Sequence, residues 1–455
     1  MVPKCLIGLL GLTALTLALP TSAAALDLER RALLGITAAP VPPGAGLNGP
    51  GVLAERVVAD SAAAQAGIVA GDVIVSVDGQ PLAVADDLLR AMRAHRAGDS
   101  GTVELRRAGQ PLTLAVMLGG VPLETAPGVD FTYDAVATPT GLRRTIMTMP
   151  QSPVLGRLPA VLLIGGIGTY SVDYSFDPDH DVAEPYRRLL VALTRLGFVT
   201  LRVEKSGVGD SEGPPAKEVD LEGELTGYVA GLRMLKQRAE VDPERVFILG
   251  HSIGSVEAPI AAAREPVRGI VVMQGVGTTW FEYELVNARR QLELEGIAPA
   301  ALAQRMALKE WASHRLLIEG QSREALLAER PAAAAVIKYP ASDDYERQLA
   351  ALNLPALWAQ LDVPVLVVYG SADFITSEAD SRAIVEDVNR VHPGRSELRI
   401  IERMDHYLTD AADQATSFKA PRPWDRTPAQ HPACQAAIEP VVGDWLLAQA
   451  RRGSG

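Results

Sequence analysis

The stretch Gly250-His251-Ser252-Ile253-Gly254 decides how this chain is interpreted. It directly follows an apolar run, Arg245 to Leu249, that predicts a buried strand. A strand that passes through Gly-X-Ser-X-Gly into a helix is the pattern of a nucleophile elbow, in which a strained turn lifts the serine hydroxyl clear of the sheet. Glycine is expected on both sides because a Cβ atom there would clash with the neighbouring strand or helix. The motif alone is short and common, so its partners elsewhere in the chain must support it.

A serine hydroxyl is a poor nucleophile at neutral pH and needs a base and an orienting carboxylate. The apolar run Pro364 to Tyr369 predicts a buried strand, and the turn after it contains Asp373. A shorter strand, Glu397 to Ile401, is followed by His406. The chain order is then serine, acid, histidine, as a nucleophile elbow of this type requires. We expect the side chains of Ser252, Asp373 and His406 to meet at one edge of one sheet.

Other acidic residues and histidines fit these roles less well. Asp362 precedes its strand, and Asp380 falls inside the next predicted helix. Asp405 adjoins the candidate base but is interpreted as a turn residue. Three further histidines are interpreted as solvated or pocket-lining side chains: His180, His392 and His431.

The tetrahedral intermediate of such a reaction carries an oxyanion, which two backbone N–H groups should stabilise. One donor is the amide of the residue after the nucleophile, here Ile253. The second comes from the loop after an earlier strand. The run Pro159 to Ile164 predicts that strand, and Gly165 to Gly168 predicts that loop. The amide of Ile167 is the preferred second donor, and that of Gly166 is the alternative.

Residues 130 to 450 resemble the α/β-hydrolase superfamily. Besides the elbow, the match includes a strand, Phe198 to Val203, and a glycine-rich loop, Gly207 to Gly213, of a kind found in esterase- and peptidase-like members. The resemblance implies a structural role for this loop, in which Asp210 or Ser211 caps the next helix. It also implies a doubly wound, mostly parallel sheet with helices on both faces, which agrees with the alternation of strands and helices along the chain.

A long insert interrupts this alternation. Between about residues 277 and 360 the sequence is rich in helix formers, and the resemblance implies a helical cap over the active site. Trp280, Phe281 and Tyr283 are candidates for lining the substrate pocket, as is His251 in the elbow. Packing of the cap onto the sheet is the alternative role for the three aromatic side chains. The predicted strands of the sheet are 130–137, 142–149, 159–165, 198–203, 245–250, 269–274, 364–369 and 397–401.

A smaller α+β module, residues 31–121, precedes the hydrolase-like region, and residues 122–129 form a linker. The run from Ala63 to Ile74 reads Ala-X-X-Ala-Gly-Ile-X-X-Gly-Asp-Val-Ile and closely resembles a PDZ domain of bacterial high-temperature-requirement proteases. The resemblance implies that the loop Leu34-Gly35-Ile36 captures a peptide C-terminal carboxylate while the peptide adds a strand to the sheet. The stretch from 39 to 51 is rich in Pro and Gly, so a spacer or lid role stays equally open.

The N-terminal segment predicts targeting for export. Lys4 supplies a positive charge, Leu6 to Leu19 is apolar, and small residues including Ala23 and Ala25 suit a cleavage site. Residues 1–25 are therefore interpreted as a signal peptide, and a periplasmic or secreted protein is expected. Retention as a membrane anchor is the alternative, although the apolar stretch is short for a membrane span.

Composition limits the remaining classes. A chain of 455 residues with 48% hydrophobic content is long enough for sizeable cores in more than one domain. Lysine and arginine number 43 against 55 acidic residues, which gives a net charge of −12. Without a basic stripe, nothing favours binding of nucleic acid. No metal and no organic cofactor is implied.

These observations predict an exported serine hydrolase that cleaves a carboxylic ester or a related acyl bond. A small-molecule ester is the preferred substrate. One alternative is a peptidase, aminopeptidase-like, that recruits peptides through the PDZ-like module. The other alternative is a scaffold without catalytic activity that binds peptides or other ligands.

Overall fold

The computed structural model describes residues 26, 28–42, 50–152, 156–175, 181–426 and 430–452. The predicted signal peptide, residues 1–25, and His180 lie outside the described residues. The strands are β1 (Ile36–Pro40), β2 (Val52–Val57), β3 (Val73–Val77), β4 (Gln80–Pro81), β5 (Ser100–Arg107), β6 (Gln110–Met117), β7 (Val129–Thr138), β8 (Gly141–Pro150), β9 (Leu158–Ile164), β10 (Val199–Val203), β11 (Val241–His251), β12 (Gly269–Met273), β13 (Val365–Gly370) and β14 (Ser396–Ile401). The α-helices are α1 (Ala62–Gln65), α2 (Ala85–Arg93), α3 (Glu184–Arg195), α4 (Leu221–Gln237), α5 (Gly254–Arg264), α6 (Trp280–Glu295), α7 (Pro299–Ser313), α8 (Arg323–Glu329), α9 (Asp343–Ala350), α10 (Leu354–Ala359), α11 (Glu378–Val391), α12 (Gln414–Lys419) and α13 (Ile438–Arg451).

The N-terminal module is a small antiparallel sheet with two helices. Its strands lie in the order β1-β2-β3-β5-β6, and β4 pairs with β3. Asp78 and Gly79 both have positive φ, 47° and 74°, as the tight turn between β3 and β4 requires. Strand β1 is an edge strand that continues to Pro40, with a register shift between Thr37 and Ala38, even though the Pro/Gly-rich stretch begins within it. An edge strand beside helix α2 leaves main-chain groups available for an added strand.

The hydrolase-like region is built on one eight-stranded sheet. Its strand order is β14-β13-β12-β11-β9-β10-β8-β7. The six strands from β14 to β10 in this order run parallel, and β8 and β7 add an antiparallel hairpin at one edge. The predicted doubly wound, mostly parallel sheet is therefore confirmed. Strand β7 begins at the end of the predicted linker.

Two apolar layers enclose the central strands, which are buried on both faces. One layer holds side chains of α4, α5 and α11, together with residues of the insert. The other layer holds side chains of α3 and α13. Such near-continuous apolar strands are typical of parallel sheets that are covered on both sides. The insert between β12 and β13 is helical, as expected, and comprises α6 to α10 with a π-helical turn at His314–Ile318.

The predicted capping role of the glycine-rich loop is wrong. Helix α4 is capped by Asp220, whose side chain accepts a hydrogen bond of 2.8 Å from the Gly223 amide. A 3-10 turn, Ala216–Glu218, separates the loop from that helix. Asp210 instead accepts a hydrogen bond of 3.0 Å from Arg144 Nε, and Ser211 Oγ accepts one from the amide of the same arginine. The loop is thus hydrogen-bonded to Arg144 of β8, and its residues do not cap the helix that follows it.

Within the described part of the chain, no helix combines the length and the apolar character needed to cross a membrane.

Candidate active site

The elbow holds Ser252 in a conformation that side chains rarely adopt. Its φ is +56°, in the left-handed region, at the turn between β11 and α5. A Cβ atom on Gly250 would lie 2.5 Å from the carbonyl oxygen of Gly254, and one on Gly254 would overlap the carbonyl oxygen of Ile164. Both flanking glycines are therefore sterically required. The second clash also shows that the elbow lies against the end of β9, next to the loop that follows that strand.

The three predicted side chains form one hydrogen-bonded series. Ser252 Oγ lies 3.0 Å from His406 Nε2, and His406 Nδ1 lies 2.9 Å from Asp373 Oδ2. Each residue follows the carboxyl end of a parallel strand, namely β11, β14 and β13. The carboxyl ends of parallel strands meet at the same edge of the sheet, where ligands bind in open α/β folds. This geometry lets the imidazole exchange a proton with the serine hydroxyl.

Asp373 is completely buried and held by its own turn. Its carboxylate accepts hydrogen bonds from the amides of Ile375 (2.6 Å) and Thr376 (3.0 Å) and from the Thr376 hydroxyl (2.5 Å). Burial alone would raise the pKa of Asp373, but the charge of His406 and these hydrogen bonds lower it below its ordinary value. The group is thus kept as a carboxylate facing the imidazole.

The two candidate oxyanion donors on the loop after β9 differ in their hydrogen bonding. The amide of Gly166 donates to Tyr186 Oη at 3.1 Å and is therefore occupied. Among the described residues, the amide of Ile167 donates to no other group, and neither does the amide of Ile253 at the start of α5. These two amides are the ones that remain available to an oxyanion.

His251 supports the base and has both ring nitrogens occupied by protein groups. Its side chain is buried, with Nδ1 2.5 Å from Tyr186 Oη and Nε2 2.9 Å from the carbonyl oxygen of His406. Burial and the neighbouring charge of His406 lower the pKa of His251 to about 3, so the ring is neutral. Because a carbonyl only accepts, Nε2 carries the proton and the tyrosine hydroxyl donates to Nδ1. These bonds connect His251 to Tyr186 and to the backbone of His406, and its pocket-lining role stays a prediction.

The aromatic residues at the start of the cap have two different environments. Trp280 and Tyr283 are buried, with ring centroids 5.0 Å apart, and Trp280 also meets Tyr339 at 5.6 Å. They belong to the apolar layer between cap and sheet, which corresponds to the packing role. Phe281 is half-buried and its ring lies 6.3 Å from that of His314.

Asp405 is a turn residue, as the sequence indicates. Its carboxylate accepts hydrogen bonds from the amides of Tyr407 and Thr409, both at 2.9 Å, and from the hydroxyls of Thr409 and Ser417. It therefore shapes the loop that carries His406. The described residues include no group of three or more His, Cys, Asp or Glu placed to hold a metal ion.

The loop proposed to capture a peptide carboxylate has a conformation that depends on glycine. Gly35 has a φ of +85°, and its Cβ position would overlap the Ser61 side chain. In the part of the chain that the structure describes, the amides of Leu34 and Gly35 donate no hydrogen bond, and the side chains of Leu34 and Ile36 are buried. The loop thus presents free main-chain donors at the beginning of the edge strand β1.

Sequence reasoning missed the charged residues that contact the loop after β9. Glu204 and Lys205 follow β10 directly, and both are almost completely buried. Glu204 Oε1 accepts hydrogen bonds from the amides of Val172 (3.1 Å) and Asp173 (3.2 Å). Two adjacent charged residues directly after the buried strand β10 were the available signal. Burial without a partner is too costly for such residues, so they had to meet other polar groups.

Residues just before the PDZ-like sheet also reach this region. The Arg30 guanidinium forms ion pairs with Asp173 and, at 3.0 Å, with Asp210. The amide of Arg31 donates to Asp210 Oδ1 at 2.9 Å. The same segment continues directly into the loop Leu34-Gly35-Ile36, so one short stretch contacts the hydrolase-like region and begins the PDZ-like one.

Comparison with known proteins agrees with this architecture. Residues 180–413, just over half of the chain, match the family described as serine aminopeptidase, S33, and residues 32–118 match the PDZ domain family. Esterase EstD of Thermotoga maritima is 23% identical over 272 residues, which cover 59% of this chain and 59% of that protein. A probable periplasmic serine endoprotease, DegP-like, of Pseudomonas putida is 31% identical over 116 residues, or 24% of each chain.

Among solved structures, Est1E from Butyrivibrio proteoclasticus aligns with a TM-score of 0.42 and 14% identity, covering 70% of this chain and 98% of that one. The chain spans less than two thirds of the length of the two curated relatives. The family match covers the elbow, the acid turn and most of the sheet. The chain therefore belongs to the serine aminopeptidase (S33) family of α/β-hydrolases and carries a PDZ domain ahead of its hydrolase domain.

Proposed function

We propose that this protein is a serine hydrolase that cleaves a carboxylic ester or a related acyl bond. The observation that carries the proposal is the series from Ser252 Oγ through His406 to Asp373, with contacts of 3.0 and 2.9 Å on a strained elbow. A nucleophile, a base and an orienting carboxylate within hydrogen-bond reach are the requirements of nucleophilic acyl transfer.

The proposed reaction has two halves. Ser252 Oγ attacks the substrate carbonyl carbon while its proton passes to His406 Nε2, and the amides of Ile253 and Ile167 stabilise the oxyanion. The intermediate expels the alcohol or amine, which takes the proton from His406 and leaves an acyl-enzyme. Water then attacks the acyl group and gives a proton to His406, and the acid is released as Ser252 recovers its proton. Asp373 holds the Nδ1–H of the imidazole and stabilises its charged form throughout.

The preference for esters over peptides rests on the curated relative named an esterase, whose similarity extends over 59% of the chain. A specific observation favours peptides as a second candidate: the amides of Leu34 and Gly35, which donate to none of the described residues, stand beside the edge strand β1. This arrangement suits capture of a peptide C-terminus by strand addition. A peptide bound there would be a recruited partner of the protein, and its bonds could be the substrate.

The central experiment is labelling with a fluorophosphonate probe, together with turnover of a short-chain nitrophenyl ester. We expect the wild type to be labelled and active, and Ser252→Ala to lose labelling and roughly 10⁴-fold or more of kcat. Ser255→Ala is a matched control, because the Ser255 hydroxyl already accepts a hydrogen bond of 2.9 Å from the Val276 amide. Equal turnover by the wild type and Ser252→Ala would contradict the proposal and favour a binding scaffold.

The substrate class is decided by a second assay. We expect kcat/KM to be higher for nitrophenyl esters of some acyl chain length than for any member of a peptide anilide panel. The reverse order would identify a peptidase. Repeating both assays without residues 26–121 reports whether the PDZ domain contributes to turnover.

We propose that the protein is exported. The positive charge at Lys4, the apolar run after it and the small residues before Leu26 support this. The relative from Pseudomonas putida, described as periplasmic, supports it as well. Fractionation of a bacterial host should find the full chain outside the cytoplasm and a chain lacking residues 1–25 inside it. Equal distribution of the two would contradict export.

A further inference from the structure

We propose that Lys205 is a positioning residue for the oxyanion site, and that it acts by holding and polarising the peptide group between Gly166 and Ile167. The proposal rests on the proposed function, because it concerns the same oxyanion. Lys205 itself contacts neither the nucleophile nor the base.

The geometry of one peptide unit carries the argument. The carbonyl of Gly166 and the N–H of Ile167 belong to the same planar group and point in opposite directions. Lys205 Nζ donates to that carbonyl oxygen at 2.9 Å, and Tyr170 Oη donates to it at 3.0 Å. Two donors on one side fix the plane of the peptide and so the direction of the N–H on the other side.

The charge of Lys205 also matters. A cationic donor makes a shorter and stronger hydrogen bond than a neutral one. Hydrogen bonds in series polarise one another. An ammonium on the Gly166 carbonyl therefore draws electron density toward the oxygen and makes the Ile167 N–H a better donor to a developing oxyanion. Tyr170 gives the same orientation without a full charge.

The anchoring of Lys205 is rigid. Its Nζ lies 2.7 Å from Glu224 Oε1, and both side chains are almost completely buried. Tyr228 Oη donates to the same oxygen of Glu224 at 3.2 Å. Glu257 lies nearby, and burial together with the charge of Glu224 raises the pKa of Glu257 well above its ordinary value.

Stability alone does not account for this ion pair. A buried pair loses the hydration of both charges, and apolar residues of similar volume are often as stable or more so. The pair instead stands at the end of β10, beside the loop after β9 that carries the proposed donor. A charge held in place next to a peptide group that takes part in catalysis would offset the lost hydration of the pair.

The test compares Lys205→Met with the wild type in the nitrophenyl ester assay. We expect kcat to fall about 10- to 100-fold, less than the roughly 10²- to 10³-fold lost when an oxyanion donor itself is removed. KM should change less than about threefold, because the oxyanion site contributes little to binding of the substrate carbonyl before it reacts. Affinity for butylboronic acid, which forms a tetrahedral adduct with the serine, should fall by the same factor as kcat/KM. A merely structural role would not link these two quantities.

Two further variants keep the test decisive. Lys205→Met/Glu224→Met removes both buried charges, and it is used if the single variant does not fold. Tyr170→Phe removes the neutral donor and should cost less than Lys205→Met, about two- to fivefold in kcat, since a neutral hydrogen bond contributes only about 0.5–1.5 kcal/mol. Lys217→Met is the control, because Lys217 is exposed in the 3-10 turn beyond the loop.

The outcomes separate the two proposals. If the folded lysine variants keep the wild-type kcat and boronate affinity while Ser252→Ala is inactive, the inference is overturned and the function stands. If neither lysine variant folds, unchanged boronate affinity in Tyr170→Phe overturns it. If the wild type has no turnover that depends on Ser252, the proposed function itself fails.

Discussion

The two halves of the proposed active centre are built in different ways. In the acid–base half, Asp373 is held mainly by groups two and three residues further along the chain, in its own turn. In the oxyanion half, the segment after β9 is held by Lys205, which donates to the Gly166 carbonyl, and by Glu204, which accepts from the Val172 amide. The first half therefore depends on local turns, and the second depends on two buried ionisable side chains that directly follow another strand, β10.

The oxyanion half is also the half that contacts the segment just before the PDZ domain. Arg30 pairs with Asp173, whose amide donates to Glu204. No corresponding contact from residues 28–118 to Asp373 or His406 is found among the described residues. A change in the segment before the PDZ domain can therefore reach the oxyanion half without reaching the acid–base half. We expect changes in the PDZ-side segment to affect the oxyanion half first and to leave the acid–base half unchanged.

The largest effect should come from the acid–base half. Asp373→Asn should lower kcat by roughly 10⁴-fold, because the amide no longer stabilises the charged imidazole and favours the wrong tautomer of His406. Asp362→Asn is the matched control, since the Asp362 side chain is 61% exposed and lies before β13. Steady-state kinetics on the nitrophenyl ester measures both. A loss of less than tenfold in Asp373→Asn would mean that this half is not organised as described.

Local patterns explain how much of this could be predicted from the sequence. Ser252 and Asp373 follow apolar strands and His406 follows a short strand of mixed polarity, each within a few residues, so strand ends and chain order indicate their positions. The PDZ domain was recognisable from the run Ala63 to Ile74, whose glycines, Gly67 and Gly71, both have positive φ.

The contacts that could not be predicted join residues that are far apart in the chain. Asp210 was assigned to a helix cap because its real partners, Arg144 and Arg31, lie on other elements. Lys205 and Glu224 read as ordinary charged residues until the fold brings them together in the core. Sequence patterns indicate local geometry and the burial that is usual for each residue type. A buried ion pair joins residues that are distant in the chain, and it buries side chains that are usually exposed.

A smaller effect is expected where the two domains meet. Arg30→Met leaves the buried carboxylates of Asp173 and Asp210 without this partner, so the free energy of unfolding should fall by roughly 3–5 kcal/mol. The fall in kcat should stay under about tenfold, because the acid–base half is not contacted. Arg96→Met is the control, since that side chain is 42% exposed and pairs with exposed Glu29. Denaturant unfolding followed by fluorescence measures the first quantity, and an unchanged midpoint would contradict the coupling.

The smallest effect concerns Glu204 and depends on pH. Burial raises the pKa of the Glu204 carboxyl to about 7, and the charge of Asp173 adds to this, although hydrogen bonds from Ser171 and Val172 oppose it. The folded protein thus holds a proton there more tightly than the unfolded chain, whose carboxyl has the ordinary value of 4.5. The contribution of Glu204 to stability is complete below pH 4.5 and is lost as the pH rises through about 7.

Glu204→Gln should remove this dependence. Glu204 Oε1 accepts all the hydrogen bonds described for this carboxyl, and Oε2 has no partner among the described residues, so an amide can keep the same contacts without the charge. Relative to the wild type, the variant should gain up to roughly 3 kcal/mol of unfolding free energy between pH 4.5 and pH 8. Unfolding curves at several pH values measure the difference, with exposed Glu218→Gln as the control. Parallel pH profiles for Glu204→Gln and the wild type would show that Glu204 stays charged in the fold. In that case the oxyanion loop would be held between two charged residues and not by one charge and one neutral acid.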